Sequence, residues 1–188
     1  MKRIIAILLA LLTGLCLFSC GDDPVPEGMK QASDTSVVDY CLYVPKEWVV
    51  SSAERAVTHA YVSEGDRTNV LVMQWNITEN TKKPSDWWEK EYKPQVFESG
   101  SVQDVKILTE GEATLLDSKE AFKYSYTGKI GDSYFKYDLI ACVTKGSIYV
   151  MQLTYMQDKA EEGKEITFNS VDTHKEDVNK IIENFRFR

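Results

Sequence analysis

Histidine is nearly absent from the chain: only His59 and His174 occur in 188 residues, and neither belongs to an HxxxH spacing of the kind that ligates a metal. No CxxC pair, GxSxG elbow, P-loop or GxGxxG stretch occurs either, which removes the motif-based routes to zinc binding, serine hydrolysis and nucleotide cradling. Cations are also in deficit, with 22 Lys and Arg against 29 Asp and Glu and a net charge of −7. That balance argues against nucleic acid or an anionic membrane surface as a partner, because both demand clustered positive charge. Four cysteines, at positions 16, 20, 41 and 142, are too few for a disulfide-stapled scaffold. Long hydrophobic runs are confined to one, Ile4 to Phe18.

That run follows the cations Lys2 and Arg3 and spans fifteen residues, short of the roughly 20 an α-helix needs to cross a bilayer. The layout is that of an export signal. Leu17, Phe18 and Ser19 precede Cys20, and the stretch resembles the lipobox of bacterial lipoproteins. The resemblance implies cleavage after Ser19, a diacylglyceryl thioether on Cys20, and an extracytoplasmic protein held to a bacterial membrane by that lipid. Two or more acyl chains anchor stably where one does not. Phe18 departs from the pattern, which is usually smaller at that position.

Cleavage removes Lys2 and Arg3, leaving 20 cations against 29 acids and a net charge of −9. Residues 20–35 carry Pro, Gly and acids without periodicity and are expected to form a flexible tether, with the globular domain over 36–188. Outside the cytoplasm a Cys41–Cys142 disulfide is permitted. Both cysteines also sit in apolar strand-like runs, where a free thiol serves as a small hydrophobe, so the two readings stand side by side.

From Tyr40 onward the sequence alternates. "THAY" and "NVLVMQW" flank the turn-rich "EGDRT" and predict a hairpin. Three further runs between Ala121 and Met156, separated by "GKIGD" and "KG", predict an antiparallel meander whose rows are Phe122/Tyr124/Tyr126, Phe135 to Val143, and Tyr149/Met151/Leu153/Tyr155. A helix near 85–98 follows Pro84, with Asp86 and Glu89 spaced as a capping box and Pro94 expected to kink or end it. A second, 173–184, has Thr173 and Glu176 at capping-box spacing and an apolar stripe at Val178, Ile181, Ile182 and Phe185. Strands grouped around two helices indicate an α+β fold with an antiparallel sheet.

The order of these elements, from "VPKEW" through "NVLVMQW", "AFKYSYTG" and "IYVMQLTY" to the terminal "IIENFRF", resembles the PsbP family, named for an extrinsic protein of photosystem II. Glu47 stands where that family commonly has Gly. The resemblance covers residues 36–188 and implies an α/β/α sandwich about a central antiparallel sheet, in an accessory role without catalysis. It does not imply photosynthesis.

The acidic pairs Asp22/Asp23, Glu110/Glu112 and Glu161/Glu162 lack the EF-hand spacing of oxygens and read as solvated charge. "NIT" at 76–78 is a glycosylation sequon in form only. Trp87 and Trp88 point about 100° apart on an α-helix, so either one ring is exposed as an interaction anchor or both wedge into the helix–sheet core. The leading expectation is a lipid-anchored accessory or binding domain, with no catalytic residue, metal or cofactor, whose partner is an envelope protein or small ligand. The alternatives are a small-molecule binder using an aromatic-lined cavity between the sheet and the Trp87 helix, and a hydrolase assembled around His59 or His174.

Overall fold

Alternation of bulky and polar side chains from Lys119 to Met156 builds three long strands. They are β8 (Lys119–Ile130), β9 (Ser133–Thr144) and β10 (Ser147–Met156), each paired antiparallel with its neighbour. Lys145 and Gly146 both have positive φ, 50° and 74°, as a two-residue hairpin turn matching strand twist requires. The computed structural model describes residues 24–52, 58–158 and 165–188. Residues 1–19, the expected leader ending at Ser19, the expected lipidation site Cys20, and Asp22, Asp23, Glu161 and Glu162 lie outside the described residues.

Four more strands complete a seven-stranded antiparallel sheet in the order β4-β5-β6-β10-β9-β8-β7. They are β4 (Val49–Ser52), β5 (Thr58–Tyr61), β6 (Asn69–Asn76) and β7 (Gln103–Leu116). The expected β5–β6 hairpin is present, pairing Thr58 with Val72 and Tyr61 with Asn69. The edge strand β7 was not legible as a strand. Its register slips between Gln103 and Lys106, Ile107 and Thr109, and Glu110 and Glu112, and each bulge resets the period-two alternation by which strands are recognised.

Both faces of the sheet are covered. On one face pack Tyr124 and Tyr126, Tyr137, Leu139 and Ala141, and Ile148 and Val150, under the middle helix. On the other pack Ile140, Cys142, Tyr149, Met151, Leu153 and Tyr155, under the chain ends. The Tyr149 row therefore lies opposite the Tyr137 row. Register decides this, because Tyr149 stands across from Cys142 and Met151 from Ile140, and directly paired residues share a face.

The layer over the second face contains the short strands β1 (Met29–Gln31), β2 (Tyr40–Cys41) and β3 (Tyr43–Pro45), and near the C-terminus the helices α2 (Ser170–Thr173) and α3 (Lys175–Asn184) followed by β11 (Arg186–Phe187). β1 pairs with β3, Met29 opposite Pro45, and Met29 is buried. The ordered domain thus begins inside the stretch expected to be tether, because Met29 supplies an apolar anchor and the backbone of β3 supplies ladder partners. Val178, Ile181 and Phe185 are buried and Ile182 packs beside them, as their spacing predicts. The Thr173 capping box does not form. His174 takes the N-cap position, and the Thr173 hydroxyl donates instead to the Asn169 carbonyl at 3.0 Å, closing the preceding turn.

Cys41 and Cys142 are free thiols, both buried in the second-face core, which corrects the disulfide reading. Each fills core volume as a small hydrophobe, and burial pushes the Cys142 thiol up. A maleimide is expected to leave both unlabelled in the native domain and to label both after denaturation without reductant; labelling that required reductant would restore the disulfide. Among the described residues no helix is long and apolar enough to cross a membrane.

Candidate functional site

The middle helix begins where Lys83, in extended conformation, meets Pro84, whose missing N–H costs nothing at a first helical position. It runs as α1 (Pro84–Trp87) and then widens into π-helical turns, Trp88–Tyr92 and Pro94–Glu98. The Lys93 N–H reaches back five residues to the Trp88 carbonyl. The wider turns carry the chain through Pro94, so the expected kink is absorbed as π geometry. The Asp86–Glu89 capping box is also absent; Asp86 pairs with Lys90 at 3.3 Å, one turn on.

Trp87 and Trp88 are both buried, at 0% and 1% exposure. Neither is an exposed anchor. Trp88 stacks between Tyr124 (4.6 Å) and Tyr92 (5.2 Å), while Trp87 meets Trp75 edge-on at 6.0 Å and Tyr124 at 6.2 Å. Aromatic side chains from β6 and β8 reach the helix together, so residues pointing in different directions are both covered. The Trp88 indole N–H donates to Glu110 at 2.5 Å, and Lys93 bridges Glu110 and Glu89 at 2.6 Å each. The Lys93 ammonium and the Trp88 donor hold the Glu110 carboxyl below its ordinary range. This clamp ties the helix to edge strand β7, a role for Glu110 that sequence alone did not disclose. Glu112 lies one residue beyond Gly111 on the same strand, outside the clamp. Deeper in, the Tyr92 hydroxyl donates to Gln152 at 3.1 Å and lies 2.8 Å from the Tyr126 hydroxyl.

Beside the helix start lies a cavity of about 490 Å³. Its apolar lining is Phe122, Val143 and Pro84, and its charged lining is Lys82, Lys83 and Glu120. Tyr124 also lines it; this residue is 1% exposed and its hydroxyl has no hydrogen-bond partner among the described residues. Burial first, then the negative charges of Glu110 and Glu89, push the phenol up to about 12. It therefore stays protonated and able to donate at neutral pH. The cavity lies at the start of the helix and not beneath Trp87, which does not line it; Phe122 and Tyr124 are its aromatic contributors. A second cavity, about 230 Å³, opens on the other face beneath α3, where Lys123, Asp138 and Tyr155 contribute to its wall and Tyr124 borders it as well.

The histidines stand apart from both cavities. His59 lies in β5 beside Tyr61, and burial lowers its pKa. His174 packs edge-on against Trp48 and faces two carboxylates, Asp66 at 2.6 Å and Asp177 at 4.0 Å. No hydroxyl or thiol is hydrogen-bonded to either ring among the described residues, so the nucleophile that the hydrolase reading requires is not beside them. Desolvation raises the Asp66 pKa, but the bonds from Thr68 and His174 outweigh it and hold the carboxyl below 3.8. A group depressed in the folded state stabilises above its unfolded pKa and loses that contribution as pH falls through its folded one. The stability gap between wild type and Asp66→Asn is thus expected to narrow below about pH 4 in urea titrations, and a gap independent of pH would remove this account. Among the described residues no three His, Cys, Asp or Glu side chains are grouped to hold a metal ion.

Solved structures share this architecture. The cyanobacterial PsbP protein of Synechocystis sp. PCC 6803 matches over 92% of this chain and 99% of its own, with 18% identity and a TM-score of 0.56. The fold is PsbP-like. A Pseudomonas aeruginosa protein of unknown function matches over 83% of this chain and 94% of its own, with 8% identity and a TM-score of 0.52. No family model and no curated protein matches the sequence. At these identities the PsbP-like likeness describes the path of the backbone, and what the chain does must be argued from its own side chains.

Proposed function

We propose that the protein is a noncatalytic binding domain of a bacterial cell envelope, tethered through a lipid on Cys20 and acting through the cavity beside the middle helix. The observation that carries this is Tyr124, which lines the 490 Å³ cavity and whose buried hydroxyl has no hydrogen-bond partner among the described residues. An unsatisfied buried hydroxyl costs about 1–3 kcal/mol, and a ligand oxygen would recover it. The volume falls within the roughly 300–1,000 Å³ of small-molecule sites, and the wall offers both apolar contact, from Pro84, Phe122 and Val143, and charged groups. The PsbP-like fold supports the accessory role that the sequence resemblance implies, and the Leu17–Cys20 stretch supports the tether.

Two measurements test the two halves. Mass spectrometry of the native protein is expected to find an N-terminal diacylglyceryl Cys20, and a bare thiol overturns the tether. NMR titration of the chain with fragment-sized organic molecules is expected to perturb Phe122, Glu120 and Val143, which line this cavity and not the opposite one. Fragments that perturb only the Lys123–Asp138 side of the sheet would move the function to the opposite cavity, and a panel without hits would remove ligand binding.

A further inference from the structure

The charged groups around the cavity narrow its ligand class. Lys82 and Lys83 are adjacent, exposed and without an ion pair among the described residues, in a chain whose acids outnumber its cations. Most nearby lysines are neutralised: Lys90 by Asp86, and Lys93 by Glu89 and Glu110. An unpaired doublet at the mouth of a cavity attracts negative charge. Glu120 shares the lining, so the three lining side chains leave one net positive charge, while Glu89 and Glu110, which share Lys93 and act on Tyr124, add negative charge on that side; a phosphate carrying two charges is disfavoured more than a monoanion.

The buried phenol agrees independently. The Tyr124 hydroxyl has no acceptor among the described residues, and hydrogen bonds to an ionised acceptor are about twice as strong as neutral ones. Phe122, Val143 and Pro84 offer apolar contact to whatever carries the charge. We propose that the cavity takes a small organic monoanion with a flat or branched apolar body, of which an aromatic carboxylate is the representative chemistry. This rests on the cavity being the functional site.

Benzoate and its neutral counterpart benzyl alcohol test it, titrated into the full chain and followed by tryptophan fluorescence. Benzoate is expected to bind more tightly than benzyl alcohol, and the Lys82→Gln/Lys83→Gln double variant to weaken benzoate about tenfold, the scale of two exposed charges acting together, while leaving benzyl alcohol unchanged. Tyr124→Phe is expected to weaken benzoate several-fold. The lysine variant alters only exposed side chains, so its folding is not in question. Equal binding of both probes, indifferent to the lysines, overturns the anion class and leaves the cavity as a binding site. Binding of neither overturns both. Benzoate binding that prefers the anion yet ignores the lysines and Tyr124 places the site elsewhere and overturns the assignment.

Discussion

Trp88→Ala is expected to lower the free energy of unfolding by about 4 kcal/mol, because large aromatic truncations in a packed core cost roughly 3–5 kcal/mol. Trp88 is 1% exposed and its ring lies between Tyr92 and Tyr124 at 5.2 and 4.6 Å. Removing it opens a void, unstacks both tyrosines and takes from Glu110 its indole donor. Domains of this size are stable by about 5–15 kcal/mol, so the variant is expected to lose a quarter or more of that margin and about 8–16 °C in Tm. Trp88→Phe keeps most of the ring contact and loses the bond to Glu110, for an expected cost of about 1–2 kcal/mol. Urea midpoints with unchanged slope measure both. A cost below about 1 kcal/mol for Trp88→Ala would mean that the helix is not docked on the sheet as described.

Gly128→Ala is expected to cost about 2–3 kcal/mol, the upper range for overpacking a tight interior. Gly128 lies buried in β8 opposite Phe135. A Cβ there would stand 2.2 Å from Cγ1 of Val102 and 3.4 Å from the Gln103 carbonyl oxygen. Val102 is itself 6% exposed and has a short, stiff side chain, so it cannot swing away without moving the entry to β7. Shortening Val102 relieves the clash. The double variant Gly128→Ala/Val102→Ala is therefore expected to be more stable than the summed single effects by about 1 kcal/mol or more. Strict additivity in a double-mutant cycle would show that the two positions do not touch.

The parts legible in the sequence were those with an unbroken period. The Val178, Ile181, Ile182 and Phe185 stripe marked the terminal helix and its buried side, and the β8–β10 meander followed from alternation punctuated by short turns. A cavity between the aromatic sheet face and the Trp87 helix was expected; that space is filled by packed rings, and the cavity lies at the helix start. Where the period broke, reading failed. Bulges concealed β7, and an isolated Met29 did not mark a strand whose ladder partner lies sixteen residues on, at Pro45. Adjacent Trp87 and Trp88 left two readings open, one ring exposed or both in the core, because ideal α-helical geometry separates them; the widened helix and aromatic residues from two strands cover them both.

Sequence alone determined the class of the molecule: α+β, antiparallel, aromatic in the core, with no motif for a metal or a nucleotide. Those properties depend on composition and on neighbours a few residues apart, which the linear chain displays. Tertiary structure alone decided which face the Tyr149 row covers, that Cys41 and Cys142 stay apart, that Glu110 clamps the helix, and that Lys82, Lys83 and Tyr124 meet at one cavity. Each depends on strand register or on packing between segments distant in the chain, and a shift of one residue in register would turn a whole row of side chains to the opposite face.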